Sequence, residues 1–323
     1  MSATALKDKI TKDSIRATAK ELSNWGRWGQ DDMIGTLNHV TPDRVTAAAG
    51  LVRKGKVFAM GLPLNEKLQS GLFGGRYNPI HQFLATGTDA LAGEQLERQG
   101  IQYADDVIAM PVQGSTHWDS LNHVFLDGQM YNGHSAALVS AAGGGTINGI
   151  EHTRDKMIGR GVLLDIARHR GVDWLADGEK ITSEELDACA KSQGVEIRAG
   201  DFVLIRTGQQ ERCLSEGSWE GYAGGDAPGL AYETCHWIRK HDIAAICADT
   251  WGVEVRPNET DAVNQPWHWV VIPAIGITMG EMFYVKELAE DCAADGVYEY
   301  LFVAPPLHLP GGTGSPINPQ AIK

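Results

Sequence analysis

The sequence has few cysteines, and their spacing does not suggest a disulfide framework. Its 323 residues include five, Cys189, Cys213, Cys235, Cys247 and Cys292, and no two of them form a Cys-x-x-Cys pair. An odd number without regular spacing argues against a small secreted domain held by disulfides. We therefore expect a reducing, cytoplasmic environment.

Long apolar runs and concentrated basic charge are also missing. No run of about 18 consecutive apolar residues occurs, so we expect no membrane span. The first 24 residues carry charges throughout and lack the apolar centre of a signal peptide. The net charge is −13, and the densest basic run is only Arg53-Lys54 with Lys56. A nucleic-acid-binding surface is therefore not expected.

What the sequence does contain is an ordinary globular composition with alternating helix and strand signals. Hydrophobic residues make up 43% and charged residues 21%, which is enough to bury a large core. Apolar periodicity predicts helices opening at Thr41-Pro42, Thr182 and Pro228. It predicts strands over 57–62, 107–112, 161–166, 201–206, 243–248 and 297–304. We therefore expect one α/β domain over residues 1–323, with an N-terminal arm (1–24), long loops at 65–105 and 209–226, and an irregular tail (305–323).

The stretch from Thr116 to His123 contains the strongest chemical signal. It places His117, Asp119 and His123 within seven residues. In an extended segment alternate side chains share a face, so His117 and Asp119 would point together, and a bend would bring His123 to them. Neutral imidazole and carboxylate bind Zn²⁺, Mn²⁺ or Fe²⁺. The alternative is that these are unrelated polar residues of a surface turn.

Other side chains are weaker candidates. His268 and Glu281 are isolated polar residues among aromatic and apolar segments. Trp25 and Trp28, each followed by glycine, form an aromatic loop that either pins the N-terminus or lines a substrate pocket. His81 could reach the site, but its neighbours favour a surface or capped histidine.

These residues together resemble the cyclase family of metal-dependent hydrolases, which includes bacterial kynurenine formamidase and isatin hydrolase. The family hallmark is His-x-Gly-Thr-His-x-Asp-x-Pro-x-His, and residues 113–123 read Gln-Gly-Ser-Thr-His-Trp-Asp-Ser-Leu-Asn-His. Further agreement extends over most of the chain, at 25–62, 160–165, 200–208, 249–250, at His268 with Glu281, and at 306–316.

The resemblance implies hydrolysis of an amide, lactam or ester carbonyl by metal-bound water. It implies His117 and Asp119 as metal ligands. It also implies His268 and Glu281 as ligands of a second ion or as an acid/base pair, and His123 as a ligand or proton shuttle. The implied fold is the swivelling β/β/α type, the implied cofactor is Zn or Mn, and the implied assembly is a homo-oligomer, a dimer or tetramer.

The chain departs from the hallmark at its first position, where Gln113 replaces histidine. Position 113 follows the predicted strand 107–112 and lies four residues before His117, so its side chain is expected on the same face. An amide oxygen is a harder and weaker donor than imidazole, which would favour Mn²⁺ relative to Zn²⁺. Gln113 is therefore a candidate metal ligand, and the alternative is that it only orients Asp119 or a water.

Two further functions remain open at this stage. A lactonase or esterase would use the same metal site on a different bond. A protein that binds a small molecule without catalysis would follow if the site had decayed with Gln113, although the other five candidate residues are present together. A serine hydrolase is set aside because no Gly-x-Ser-x-Gly occurs.

Overall fold

A computed structural model describes residues 10–96 and 100–323, and within them the chain forms a mixed α/β fold around a large sheet. The strands, in chain order, are β1 (Val57–Ala59), β2 (Ile80–Ala85), β3 (Asp105–Ala109), β4 (His117–Asp119), β5 (Val139–Ser140), β6 (Gly144–Gly145), β7 (Ile158–Asp165), β8 (Lys180–Ile181), β9 (Phe202–Arg206), β10 (Gly229–Leu230), β11 (Ala245–Ala248), β12 (Thr278–Glu281), β13 (Glu299–Val303), β14 (Gly314–Pro316) and β15 (Gln320–Ile322).

The main sheet has nine strands in the order β1-β15-β13-β7-β9-β11-β12-β4-β14. Its centre, β7, β9, β11 and β12, is parallel, and the flanking strands are antiparallel. Residues of the central strands such as Leu163, Leu204 and Ile246 are fully buried, as expected for parallel strands covered on both faces. The sheet thereby separates two apolar clusters and carries β4 towards one end.

The helices pack on the two faces of the sheet and around its ends. In chain order they are α1 (Lys12–Leu22), α2 (Pro42–Ala49), α3 (Gly87–Leu91), α4 (Ile166–Arg170), α5 (Ser183–Ser192), α6 (Gln209–Glu216), α7 (Thr234–His241), α8 (His268–Val270) and α9 (Lys286–Asp295). Short 3-10 turns occupy Gly35–His39, Tyr131–Gly133, Ala136–Leu138 and Ile150–Thr153, and a π-helix, Val271–Ile275, continues α8. No helix in the described ranges is long and apolar enough to cross a membrane.

Local sequence signals explain several helix starts. The hydroxyl of Thr182 accepts a hydrogen bond from the backbone N–H of Glu185 at the start of α5, which is the capping interaction that the sequence predicts. Thr41 and Pro42 open α2 as expected, and the helix ends at Ala49 rather than continuing towards Gly55. Within the N-terminal arm (1–24), α1 covers Lys12–Leu22, and the first nine residues lie outside the described ranges.

The structure corrects several predicted elements. Helix α6 lies inside the predicted loop 209–226. The helix predicted to open at Pro228 begins only at Thr234, because Gly229–Leu230 pairs with β8. The tail from residue 305, predicted to be irregular, contributes β14 beside β4 and β15 between β1 and β13. Both are three-residue strands that pair with strands distant in sequence.

Candidate metal centre

Strand pairing assembles the centre. In the antiparallel pair of β4 and β12, His117 lies directly opposite Glu281. Directly opposed residues share a face, and Asp119 shares it as well because it is two residues from His117. His117 Nε2 lies 3.3 Å from Glu281 Oε2 and 3.4 Å from Asp119 Oδ1. The predicted alternation of His117 and Asp119 is thus present, with Glu281 added from a neighbouring strand.

The residue between the two ligand candidates anchors the strand to the core. Trp118 points to the opposite face, where its Nε1–H donates to the carbonyl of Ala304 at 2.8 Å. Its ring packs edge-on against Phe283 and Phe302. Because side chains alternate along a strand, burying Trp118 in this cluster directs His117 and Asp119 towards the site.

Thr116, part of the hallmark, ties β4 to the segment that follows Glu281. Its hydroxyl donates to the carbonyl of Met282 at 2.7 Å and accepts from the N–H of Leu62 at 3.0 Å. Met282 has a φ of 63°, which is rare for a residue with a side chain. The Thr116 hydroxyl therefore holds the chain where it turns away from the carboxylate of Glu281.

His268 reaches the same cluster from α8. Its Nε2 lies 3.4 Å from Glu281 Oε1, and its Nδ1 contacts the carboxylate of Glu254. Glu254 is buried and also accepts from the backbone N–H groups of Trp267 and His268, each at 3.3 Å. Glu254 is thus a candidate site residue that the sequence did not indicate, since a glutamate 14 positions before a histidine has no local signature.

His123 occupies the outer side of the cluster. Its Nε2 lies 3.6 Å from Asp119 Oδ1, and its side chain is 24% exposed, against 0% for His117 and 2% for Asp119. Burial and the cation of Arg76 lower the pKa of His123 below its ordinary value, although Asp119 acts in the opposite direction. A neutral imidazole facing the exterior can accept a proton.

Gln113 differs from its predicted position. β3 ends at Ala109, and residue 113 lies in a turn, so it is not part of an extended run leading to His117. Its Nε2 lies 3.4 Å from His123 Nδ1 and 3.3 Å from the carbonyl of Thr313. Gln113 therefore contacts the side of the His123 ring that faces away from Asp119.

Burial and neighbouring charges shift the pKa values of the side chains in the cluster. Burial opposes a charged imidazole, but the carboxylates of Asp119 and Glu281, 3.4 and 3.3 Å from Nε2, raise the pKa of His117 to about 9. Burial likewise opposes a charged His268, but Glu254 and Glu281 raise its pKa to about 10. Burial disfavours the carboxylate of Asp119, yet His123 and His117 hold its pKa well below the usual range.

The donor set fits a divalent cation. Nδ1 of His117 donates to the carbonyl of Ser115 at 2.8 Å, which leaves Nε2 directed at the carboxylates. His117 Nε2 and Asp119 Oδ1 are buried atoms without a hydrogen-bond partner. Such atoms are costly unless something satisfies them. Among the described residues, His117, Asp119 and Glu281 are the group whose ligand atoms, all within 4.8 Å of one another, could hold one ion.

A small cavity of about 40 Å³ adjoins the cluster. It has room for a few water molecules and is far smaller than the roughly 300–1,000 Å³ of pockets that bind small molecules. Besides Asp119, His123, His268 and Glu281, its lining residues are Phe73, Arg76, Val124, Trp251 and Gln265. Phe73 and Arg76 belong to the long loop region predicted at 65–105.

Two other sequence candidates lie elsewhere. Trp25 Nε1–H donates to the carbonyl of Pro273 at 2.7 Å, and Asn24 donates to that of Ile275, so this loop pins the N-terminal segment to the π-helix. Neither Trp25 nor Trp28 lines the cavity beside the cluster. His81 is exposed on β2 and lies 2.6 Å from Asp106. Of the two interpretations of the tryptophan loop, the anchoring one fits these contacts.

Comparison with known proteins finds a matching family model and solved structures of similar fold. Residues 36–255 match the family model Cyclase, described as "Putative cyclase". A crystal structure of a cyclase is 36% identical, covers 93% of this chain and 99% of its own, and superposes with a TM-score of 0.84. No curated protein matches the chain.

More distant structures share the fold. Isatin hydrolase A from Labrenzia aggregata, bound to benzyl benzoate, is 17% identical over 86% of this chain and 97% of its own, with a TM-score of 0.58. A structure described as a predicted metal-dependent hydrolase from Bacillus stearothermophilus is 18% identical over 82% and 97%, with a TM-score of 0.50. At this identity the comparisons establish similarity of fold alone.

Proposed function

The chain belongs to the cyclase family, as its motifs predicted, and on this premise we propose that it is a metal-dependent hydrolase. The bond we assign is a carbonyl C–N bond, an amide or lactam, of a small molecule. The observation that carries the proposal is the buried cluster of His117, Asp119 and Glu281, which His268 completes. We also assign the fold to the swivelling β/β/α type.

His117, Asp119, Glu281 and His268 would hold the cation, which we propose is Zn²⁺ or Mn²⁺. Bound there, a divalent cation would act as a Lewis acid that polarises a carbonyl and acidifies a water molecule. His117 is oriented by the carbonyl of Ser115, and His268 by the carboxylate of Glu254. Such supporting contacts fix which ring nitrogen is free to bind.

His123 has a different task. Its side chain is more exposed than those of the other cluster residues, His117, Asp119, His268 and Glu281. Its pKa is lowered, which keeps the ring neutral near pH 7. We propose that its imidazole accepts a proton from the attacking water and passes it to the leaving nitrogen. Because the adjoining cavity is small, substrate entry requires the loop carrying Phe73 and Arg76 to move.

An activity screen on protein of known metal content tests the proposal. Metal-depleted protein is incubated with Zn²⁺ or Mn²⁺ and assayed against matched amide, lactam, lactone and ester substrates, with and without chelator. We expect chelator-sensitive cleavage that is faster for the C–N substrates. Faster cleavage of lactones or esters would replace the assigned bond, and inactivity of the metal-loaded protein towards the whole panel would argue for binding without catalysis.

Metal affinity is expected to rise with pH. His117 and His268, with pKa values of about 9 and 10, carry protons at neutral pH that a cation must displace. Each displaced proton contributes about a tenfold change in affinity per pH unit below these pKa values. Calorimetry between about pH 6 and 8, in buffers of different ionisation enthalpy, should show release of one to two protons. Release of none would contradict the assigned ligands.

Replacing Gln113 with His tests how much the departure from the hallmark matters. If Gln113 is a ligand, Gln113→His should raise Zn²⁺ affinity by about tenfold or more and increase Zn²⁺ preference over Mn²⁺. If it only contacts His123 and Thr313, both affinities should stay unchanged while the pH profile of kcat shifts. Gln129→His, at a residue away from the cluster, serves as control. Unchanged affinities and an unchanged profile would show that position 113 has no functional weight.

A further inference from the structure

The cavity beside the metal cluster is lined by one permanent positive charge. Arg76 contributes it, and a guanidinium keeps its charge at every pH that the protein meets. The other described lining residues are two carboxylates, two histidines and side chains without charge. The charge of Arg76 acts on both Asp119 and His123, the groups that face this cavity.

A tight turn fixes where Arg76 and Phe73 stand. The backbone N–H of Arg76 donates to the carbonyl of Phe73 at 3.4 Å, which closes a four-residue turn. Gly75, the third residue of the turn, has a φ of 84°, and this position of such a turn favours glycine. The guanidinium carbon of Arg76 lies 4.3 Å from the centre of the Phe73 ring. The turn therefore presents a cation together with an aromatic face at the cavity.

Trp251 supports this turn from the body of the protein. Its side chain is buried, and its Nε1–H donates to the carbonyl of Gly225 at 3.0 Å. The rings of Phe73 and Trp251 are tilted against each other with their centres 5.8 Å apart. Gln265 also lines the cavity and has a φ of 54°, which is rare for a residue with a side chain. Its amide is a second hydrogen-bond donor in the lining, beside the guanidinium.

The guanidinium of Arg76 has no carboxylate partner. Within the described part of the chain, no carboxylate oxygen lies within 4.0 Å of it, although its side chain is half-buried. Arg16, Arg160 and Arg206, in contrast, each form an ion pair with an aspartate. The planar fork of a guanidinium matches a carboxylate, with which it can form two parallel hydrogen bonds. An arginine whose fork is free beside a reaction cavity is suited to bind an anionic group of a ligand.

We propose that Arg76 binds a carboxylate of the substrate and thereby selects carboxylate-bearing amides or lactams. The inference rests on the proposed hydrolase function and names a group that the substrate carries besides its scissile bond. The guanidinium forms paired hydrogen bonds with this carboxylate, and Phe73 keeps the guanidinium in place. Because the cavity has room for only a few water molecules, the pair forms as the loop carrying Phe73 and Arg76 closes over the substrate.

Kinetics with matched substrates measure this selection. Formanilides with a carboxylate at the ortho, meta or para position of the ring are compared with their neutral carboxamide analogues, using metal-loaded protein. We expect Arg76→Gln to lower kcat/KM for the preferred carboxylate by about 10- to 100-fold and to leave the matching carboxamide nearly unchanged. Arg76→Lys keeps the charge without the fork and should lose less. Arg239→Gln removes a cation that pairs with Asp242 on α7, and it should change neither substrate.

Binding of benzoate distinguishes this inference from the hydrolase proposal, because it requires no turnover. Calorimetry gives the dissociation constants of benzoate and benzamide for metal-loaded and metal-depleted protein. We expect both forms to prefer benzoate and Arg76→Gln to remove the preference. If the whole substrate series is inert but this Arg76-dependent preference remains, the hydrolase function fails and the carboxylate site stands.

Three results would overturn the inference. The first is a wild type that binds benzoate no better than benzamide. The second is a benzoate preference that Arg76→Gln leaves unchanged, which would indicate coordination to the metal ion instead. The third is an equal loss of kcat/KM for carboxylate and carboxamide substrates in Arg76→Gln, since Arg76 would then act on the reaction or the loop and not on a substrate carboxylate.

Discussion

Replacing Asp119 with Asn is expected to lower kcat/KM by at least about a thousandfold and to remove most of the bound metal. The substitution keeps the shape of the side chain and removes the charge that faces His117 and His123 at 3.4 and 3.6 Å. Asp119 is 2% exposed, so solvent cannot compensate for the lost carboxylate. Metal content by atomic emission and steady-state kinetics measure the two effects.

Asp201→Asn is the matched control. Asp201 is also buried, but it pairs with Arg160 at the beginning of β9 and makes no contact with the metal cluster. We expect this variant to keep its metal and its kcat/KM, whatever its effect on stability. If Asp119→Asn retains wild-type metal content and activity, Asp119 is not part of the site.

Replacing Glu254 with Gln is expected to weaken metal binding by about 10- to 100-fold, the usual effect of losing a carboxylate that orients a metal-binding imidazole. Gln keeps the size of the side chain, but it cannot provide the charge that raises the pKa of His268. The pKa of the His268 ring should therefore fall in this variant, while metal affinity falls because a carboxylate no longer orients the ring. NMR titration of the His268 ring reports that pKa directly.

A purely structural role for Glu254 would give a different pattern. Glu211→Gln removes another carboxylate that lies in an ion pair, with Arg206, away from the cluster. We expect the control to leave metal affinity and the His268 titration unchanged. If Glu254→Gln changes only the free energy of unfolding, and neither affinity nor the titration of His268, Glu254 does not orient the metal-binding ring.

The local part of the site could be predicted from the sequence. His117 and Asp119 share a face because side chains alternate along β4, and this pattern is visible in residues 117–119. Glu281 and His268 were weak candidates by themselves, and only the family resemblance implied a role for them. Their approach to His117 depends on the pairing of β4 with β12, which brings together residues more than 160 positions apart.

What the sequence did not indicate depends on tertiary contacts. Glu254 reaches His268 because a loop with Val253 at a φ of 55° directs it there, and no local pattern encodes that approach. Gln113 was expected on an extended run, but strand β3 ends at Ala109 and the chain then turns. β14 and β15 are three-residue strands whose partners, not their composition, make them strands.

Anomalous diffraction from a crystal soaked in Mn²⁺ shows whether this cluster binds a cation. We expect a Mn²⁺ peak between the side chains of His117, Asp119, Glu281 and His268. The ion would lie next to His117 Nε2 and Asp119 Oδ1, the two buried atoms that have no hydrogen-bond partner. Soaking the Asp119→Asn variant under the same conditions should weaken or remove the peak. A Mn²⁺ peak elsewhere, with none among these four side chains, would contradict the account.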